Sequence, residues 1–343
     1  MIFRPTKKLL IIVVLAMLAI GSLIYIFLVS RTVNIYGEIN DTQLFPHPLS
    51  GISCTNHNAR PYAVMLAVDA ATRPLSGIAA ADVVVEMPVV KDSITRLMAL
   101  YACEQPGLIG SVRSARDDFT PLAAGFDAIY AHWGGSSFAL KQLNQGIIDN
   151  IDALPNPSEA FFRHGPLPSP HNGFTSYENL SLAADGLGYR TETIFEGYPH
   201  AENIPAKDAP ESATLSIKYL RPYNVDYIYN KETNRYLRWR GGTPERDALD
   251  NRQAEAAAVA VMFTASRAIS ADYNDVDVTG NGRAVIFQNG EAIEGEWSKD
   301  GANVSSKLFF KDANGHEISL TPGSLWLAIV DNGMDIIWQE KII

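Results

Sequence analysis

The sequence predicts an α/β or α+β extracytoplasmic domain followed by a mostly β domain, both behind a single N-terminal transmembrane helix. Three observations carry this. An uncharged apolar run stands near the N-terminus, and short apolar runs alternate with helix-length segments up to about residue 205. From residue 211 onward, strand-length runs follow one another at Gly/Asn/Asp turns.

Leu9 to Val29 holds no charge and is long enough to cross a bilayer as a helix. Arg4, Lys7 and Lys8 precede it and only Arg31 follows closely, which puts residues 1–8 in the cytoplasm and the C-terminal domains outside. The run is longer than a usual signal-peptide h-region, and Val29-Ser30-Arg31 is not a small-x-small cleavage site. No cysteine sits just after the run to accept a lipid, so the expectation for residues 9–29 is an uncleaved signal anchor in the cell membrane.

Residues 30–60 read as a stalk, polar and containing Pro46, Pro48 and Gly51. The α/β domain spans 61–205. Its strand candidates are Tyr62 to Val68, Ala79 to Glu86, Leu97 to Ala102, Leu108 to Val112 and Ala128 to Ala131. Phe138, Leu140 and Leu143 are spaced for one face of a helix from Ser136 to about Gln145. Thr175 and Glu178 form a capping box before a second helix that Gly186 or Gly188 would stop. In the β domain, 211–343, Val225 to Tyr229 and Arg235 to Arg240 flank a Lys-Glu-Thr-Asn turn as a hairpin. Ala254 to Phe263 is open between buried strand and helix. Cys54 and Cys103, both on the outer side, are either a disulfide or two separate buried thiols.

The net charge is −10, and since residues 1–31 contain four bases and no acid, the remainder is more acidic still. An acidic body is a poor match for nucleic acid, which needs a basic face to displace counterions. Basic residues gathered in one loop of such a body are therefore informative. Arg113, Ser114 and Arg116 follow one strand, and His132, Trp133, Gly134 and Gly135 follow another. Arginine's planar fork suits phosphate or carboxylate, and a helix starting at this loop would add free backbone amides. Paired glycines allow close backbone approach, and a histidine there is a candidate acid or base. His171 and Asn172, in the Pro-rich loop 152–173, are candidates for a second wall. Arg96 is a further ligand candidate, and His132, His171 and Glu86 are the catalytic candidates. Against these stand plainer readings: salt bridges for the arginines, a hydrogen-bonded core position for His132. No metal-ligand spacing is present, and no cofactor is expected.

Taken in order, HPLSGI (47–52), RPYAVML, RPLSGI-AAADVVVE, ITRLMALY, IGSVRSARDDF, HWGGSS and PHNGFTS resemble the N-terminal domain of the YerB-like bacterial lipoprotein family, whose function is unknown. GRAVIFQNGEAIEGEWSK and DANGHEISLTPGSLWLAIV resemble its C-terminal domain. The resemblance implies a two-domain, membrane-attached extracytoplasmic protein. The chain departs from the family in its transmembrane-type anchor and in Asp69, where an asparagine is expected.

Three functions are compatible with these residues. The first is binding of an anionic, phosphate-bearing envelope component, a polymer or a lipid phosphate, at Arg113, Arg116, His132 and His171. The second rests on a similarity of layout, and of SVRSARDDF with a later Gly-Gly, to the LytR–CpsA–Psr phosphotransferases. There the arginines would clamp a lipid pyrophosphate, and Asp117 or Glu86 would help hold a divalent ion. The third is an envelope scaffold whose β domain contacts a protein partner.

Overall fold

The computed structural model describes residues 7–8, 16–27, 44–91 and 93–340, and divides the chain into two units, Met1–Gln43 and Leu44–Ile343. In the first unit, residues 16–27 are helical, and Met17, Leu18, Ile20, Leu23, Ile24, Tyr25, Ile26 and Phe27 are exposed. Much of the expected span Leu9 to Val29 lies outside the described residues. Among those that are described, no helix is long and apolar enough to cross a membrane.

The second unit is built on one ten-stranded sheet. Its strands are β1 (Tyr62–Leu66), β2 (Val83–Pro88), β3 (Thr95–Tyr101), β4 (Ile129–His132) and β5 (Asn150–Asp152) from the first sequence region. A second sheet follows in the chain, with β6 (Ser212–Ile217), β7 (Val225–Asn230) and β8 (Arg235–Arg240). The chain then returns to the first sheet with β9 (Ala258–Thr264), β10 (Gly280–Gln288), β11 (Glu291–Lys299), β12 (Phe309–Asp312) and β13 (Leu325–Asp331). The last strand, β14 (Ile336–Glu340), pairs with β6. In space the large sheet runs β12-β11-β10-β9-β13-β2-β3-β1-β4-β5. The two sequence regions, 61–205 and 211–343, are thus joined by a β-ladder: β13 lies parallel to β2, Leu325 opposite Val83 through Ala328 opposite Glu86.

Both faces of this sheet are covered, which is why β1, β2, β3 and β9 are buried along their whole length instead of alternating. One face carries Val64, Leu66, Val84 and Leu97 and packs against the second sheet through Leu215, Ile217, Tyr227 and Tyr236. The other carries Met65, Val85, Met87 and Met98 and packs against helices α1 (Phe119–Gly125) and α2 (Ser137–Asn144). The open choice for Ala254 to Phe263 resolves as the buried strand β9.

Several local expectations shift. The run Leu108 to Val112 forms only the two-residue strand Ile109–Gly110, which pairs with Gly173–Thr175 in a separate small sheet. Helix α3 (Tyr177–Gly186) is capped one residue later than the Thr-x-x-Glu pattern predicts: Thr175 ends a strand, and the Ser176 hydroxyl accepts from Asn179 N. The described part of the expected stalk, residues 44–60, is packed on the body, with His47 and Leu49 buried and Cys54 bonded to Cys103.

Candidate functional site

The arginine loop is not a helix start. Residues 113–116 are held as an extended segment between the ends of β1 and β4. Arg113 N donates to Met65 O (2.8 Å), Trp133 N to Arg113 O (3.0 Å) and Ala115 N to Gly134 O (2.9 Å). The glycine pair has its role here. Gly134 takes a positive φ of 58°, and a Cβ at Gly135 would stand 3.2 Å from the Ala115 side chain. Gly134 and Gly135 thus dock the arginine segment through the backbone. Helix α1 begins only after Asp118, at Phe119.

Three guanidinium groups meet at this segment. Arg96, the second residue of β3, sits opposite Met87 and so projects from the helix-covered face. It is 6% exposed, and its Nη1 donates to Ser114 O (3.2 Å). Burial, followed by the charges of Arg116 and Arg113, lowers its pKa to about 9, so it remains a cation at neutral pH. Arg116 donates from Nη1 to Ala115 O (3.0 Å) and lies 5.5 Å from the centre of the Tyr273 ring. Its Nε is buried with no hydrogen-bond partner among the described residues, and burial lowers its pKa as well. Arg113 makes only long contacts: Asp69 at 3.5 Å, Pro170 O at 3.4 Å and His171 Nδ1 at 3.5 Å. At such distances hydrogen bonds are weak, so these groups are free to turn to a better acceptor. Among the described residues, Asp69 is the one carboxylate paired with the three arginines.

Arg96, Arg113, Ser114, Arg116 and His171 are therefore brought together, and three other candidates are not. His132 is fully buried, with Nδ1 2.8 Å from Gly134 O and Nε2 3.2 Å from Asn150 Oδ1. Burial lowers its pKa, outweighing Asp152, so the ring is neutral and has no free nitrogen to offer a substrate. Its strand runs one residue beyond the apolar stretch that marks it in the sequence. Asn172 turns aside to accept from Arg163 Nη1 (2.9 Å), whose guanidinium stacks 3.9 Å from the Trp133 ring centre.

Glu86, expected beside the arginines, lies on the opposite face of the sheet, opposite Leu97. It is 1% exposed and bridges Arg238 and Arg240, with Arg240 Nη1 at 2.8 Å and Thr95 Oγ1 at 2.6 Å. Glu245 completes the group, accepting from Arg238 Nε at 2.6 Å. Burial alone would raise the pKa of both carboxyls, but the charges of Arg240 and Arg238 win, and Glu245 is held down at about 2. This group is a closed ion cluster with two cations, two anions and no vacancy. No local pattern in the sequence ties Arg238 and Arg240 to Glu86, although their i, i+2 spacing in a strand puts them on one face. Asp117 stays near the arginine segment and accepts from Ser136 Oγ (3.3 Å). Among the described residues, no group of three or more His, Cys, Asp or Glu side chains is arranged to hold a metal ion.

A sheet shared by two sequence regions, with a partly compensated arginine cluster at its strand ends, defines a class of protein without an assigned reaction. Residues 49–190 match the family described as "Protein of unknown function (DUF3048) N-terminal domain", and residues 215–327 match its C-terminal domain. The chain is 31% identical over 290 residues to the Bacillus subtilis (strain 168) protein described as "Putative lipoprotein YerB", covering 82% of this chain and 85% of the relative. It also resembles the crystal structure of YerB protein from Bacillus subtilis, with a TM-score of 0.76 and 28% identity over 85% of this chain and 99% of that one. The chain belongs to the YerB-like family.

Proposed function

We propose that this protein is attached to the outer side of the cell membrane and that its Arg96–Arg113–Arg116 cluster binds an anionic, phosphate-bearing envelope component. One observation carries the binding reading: three guanidinium groups converge with a single paired carboxylate, and Arg116 Nε is buried without a partner. A buried donor left unsatisfied costs about 1–3 kcal/mol, which a phosphate oxygen would recover. The address rests on separate support. The apolar run Leu9 to Val29 carries the exposed side chains of residues 16–27, the Cys54–Cys103 disulfide fits an oxidising compartment, and the relative in Bacillus subtilis is described as a lipoprotein.

Titration of the full chain with cell-wall phosphopolymers and with vesicles bearing lipid phosphate tests the binding. The expected result is saturable binding to one of them that Arg113→Ala/Arg116→Ala weakens by about a hundredfold, each charged hydrogen bond contributing about 1.5–3 kcal/mol. Absence of binding, or binding undiminished in the double variant, would overturn it.

A further inference from the structure

A second cationic recess lies on the other side of the sheet, beside the closed ion cluster. It is a cavity of about 290 Å³ lined by Arg73, Leu75, Arg240, Pro244, Glu245 and Arg246 among others. Arg73 follows a short 3-10 turn, and its guanidinium is fixed there, Nε and Nη2 both donating to Val68 O (3.2 and 2.7 Å). Its Nη1 has no hydrogen-bond partner among the described residues, and no carboxylate pairs with it. Glu86 and Glu245, the acids nearest in charge, are each already bonded to both Arg238 and Arg240. Burial, and then the Arg240 charge, lowers the pKa of Arg73. On the rim, Arg246 donates from Nη1 to Asn251 O (2.8 Å) and is likewise unpaired with any described carboxylate. With Arg240 and Glu245 already balanced inside the closed cluster, the wall presents two guanidinium groups, Arg73 and Arg246, that pair with no described carboxylate. Pro74, Leu75 and Pro244 add an apolar side.

We propose that this cavity binds a small organic anion, a carboxylate or phosphate monoester on an apolar body. Arg73 and Arg246 hold the anionic group, and Pro74, Leu75 and Pro244 take the apolar part. A partly buried cation without a counter-charge is costly, and a bound anion removes that cost. At about 290 Å³ the space is near the lower limit of small-molecule sites, which run from roughly 300 Å³ upward, so the occupant is small. The inference is independent of the Arg96–Arg113–Arg116 site, since Arg240 and Glu86 belong to the opposite face.

Calorimetric titration of the full chain with phenyl phosphate, benzoate and inorganic phosphate tests it. Phenyl phosphate or benzoate should bind more tightly than inorganic phosphate, and the tighter of the two identifies the head group. In the Arg113→Gln/Arg116→Gln background, which removes the other phosphate site, binding at this cavity should persist, and Arg73→Gln and Arg246→Gln should each weaken it about tenfold. Arg246 is exposed, so its replacement keeps the test meaningful if Arg73→Gln lowers the unfolding midpoint. No binding by either aromatic anion, retention of binding in Arg246→Gln, or its loss in the Arg113/Arg116 pair would overturn the proposal.

Discussion

Two groups of arginines lie against opposite faces of the large sheet, and they differ in how their charge is answered. On one face Arg238 and Arg240 are buried against Glu86 and Glu245, two cations for two anions, and nearly every donor is used. On the other, Arg96, Arg113 and Arg116 share Asp69, and one buried nitrogen is unsatisfied. A saturated ion cluster fastens β2 and β3 to the second sheet. An unsaturated one retains free energy that a ligand can release. Count of arginines alone does not separate the two; the balance of partners does.

The comparison breaks most visibly through stability. Glu86→Ala leaves two buried guanidinium groups with Glu245 as their single counter-charge, and should lower unfolding free energy by about 3–5 kcal/mol in denaturant titration. Arg113→Ala, which removes one loose ion pair, should change it by less than about 1 kcal/mol. If the two losses are similar, the open cluster is structural too.

Asp69→Asn sharpens the contrast from the other direction. It deletes the one described carboxylate paired at the open cluster, and should raise affinity for pyrophosphate by about three- to tenfold in calorimetric titration. The asparagine is also the residue that the family resemblance leads one to expect there, so the substitution restores the family pattern at this site.

A smaller effect follows from pH. With the free-state pKa of Arg96 at about 9, anion affinity should be flat below that value and decline as pH rises through it, because the cation that attracts the ligand is then lost. In the closed cluster the arginines are held protonated by their carboxylates, so its contribution to stability should persist over the same range. His132 acts oppositely on stability. Its folded pKa lies below 6.5, so the stability present above pH 6.5 is lost as pH falls below it. Thermal unfolding at a series of pH values separates the two groups.

Much of this could be read from local pattern. The hairpin Val225–Arg240 follows from alternation around a four-residue turn, and α2 starts after Ser136 as the pattern predicts, but of Phe138, Leu140 and Leu143 only Leu143 is buried, beside Ala139, while Phe138 is exposed. The arginine loop stood out because it is basic within an acidic chain. What stayed hidden was non-local. The parallel pairing of β13 with β2 carries no turn signal, and it fuses two regions that composition separates. Glu86 reads as a strand-end acid in the sequence because its partners, Arg238 and Arg240, are 152 and 154 residues away. His132 looked like the first residue of a loop because an apolar run stops before it, yet the strand includes it and both ring nitrogens find partners.

The most direct test of the account is a calorimetric titration with pyrophosphate of the full chain and of Arg113→Gln/Arg116→Gln, at one ionic strength and with matched unfolding midpoints. Saturable binding in the parent protein and at least a hundredfold loss of affinity at this site in the variant are expected. Equal binding by both proteins, or none by the parent, would contradict that.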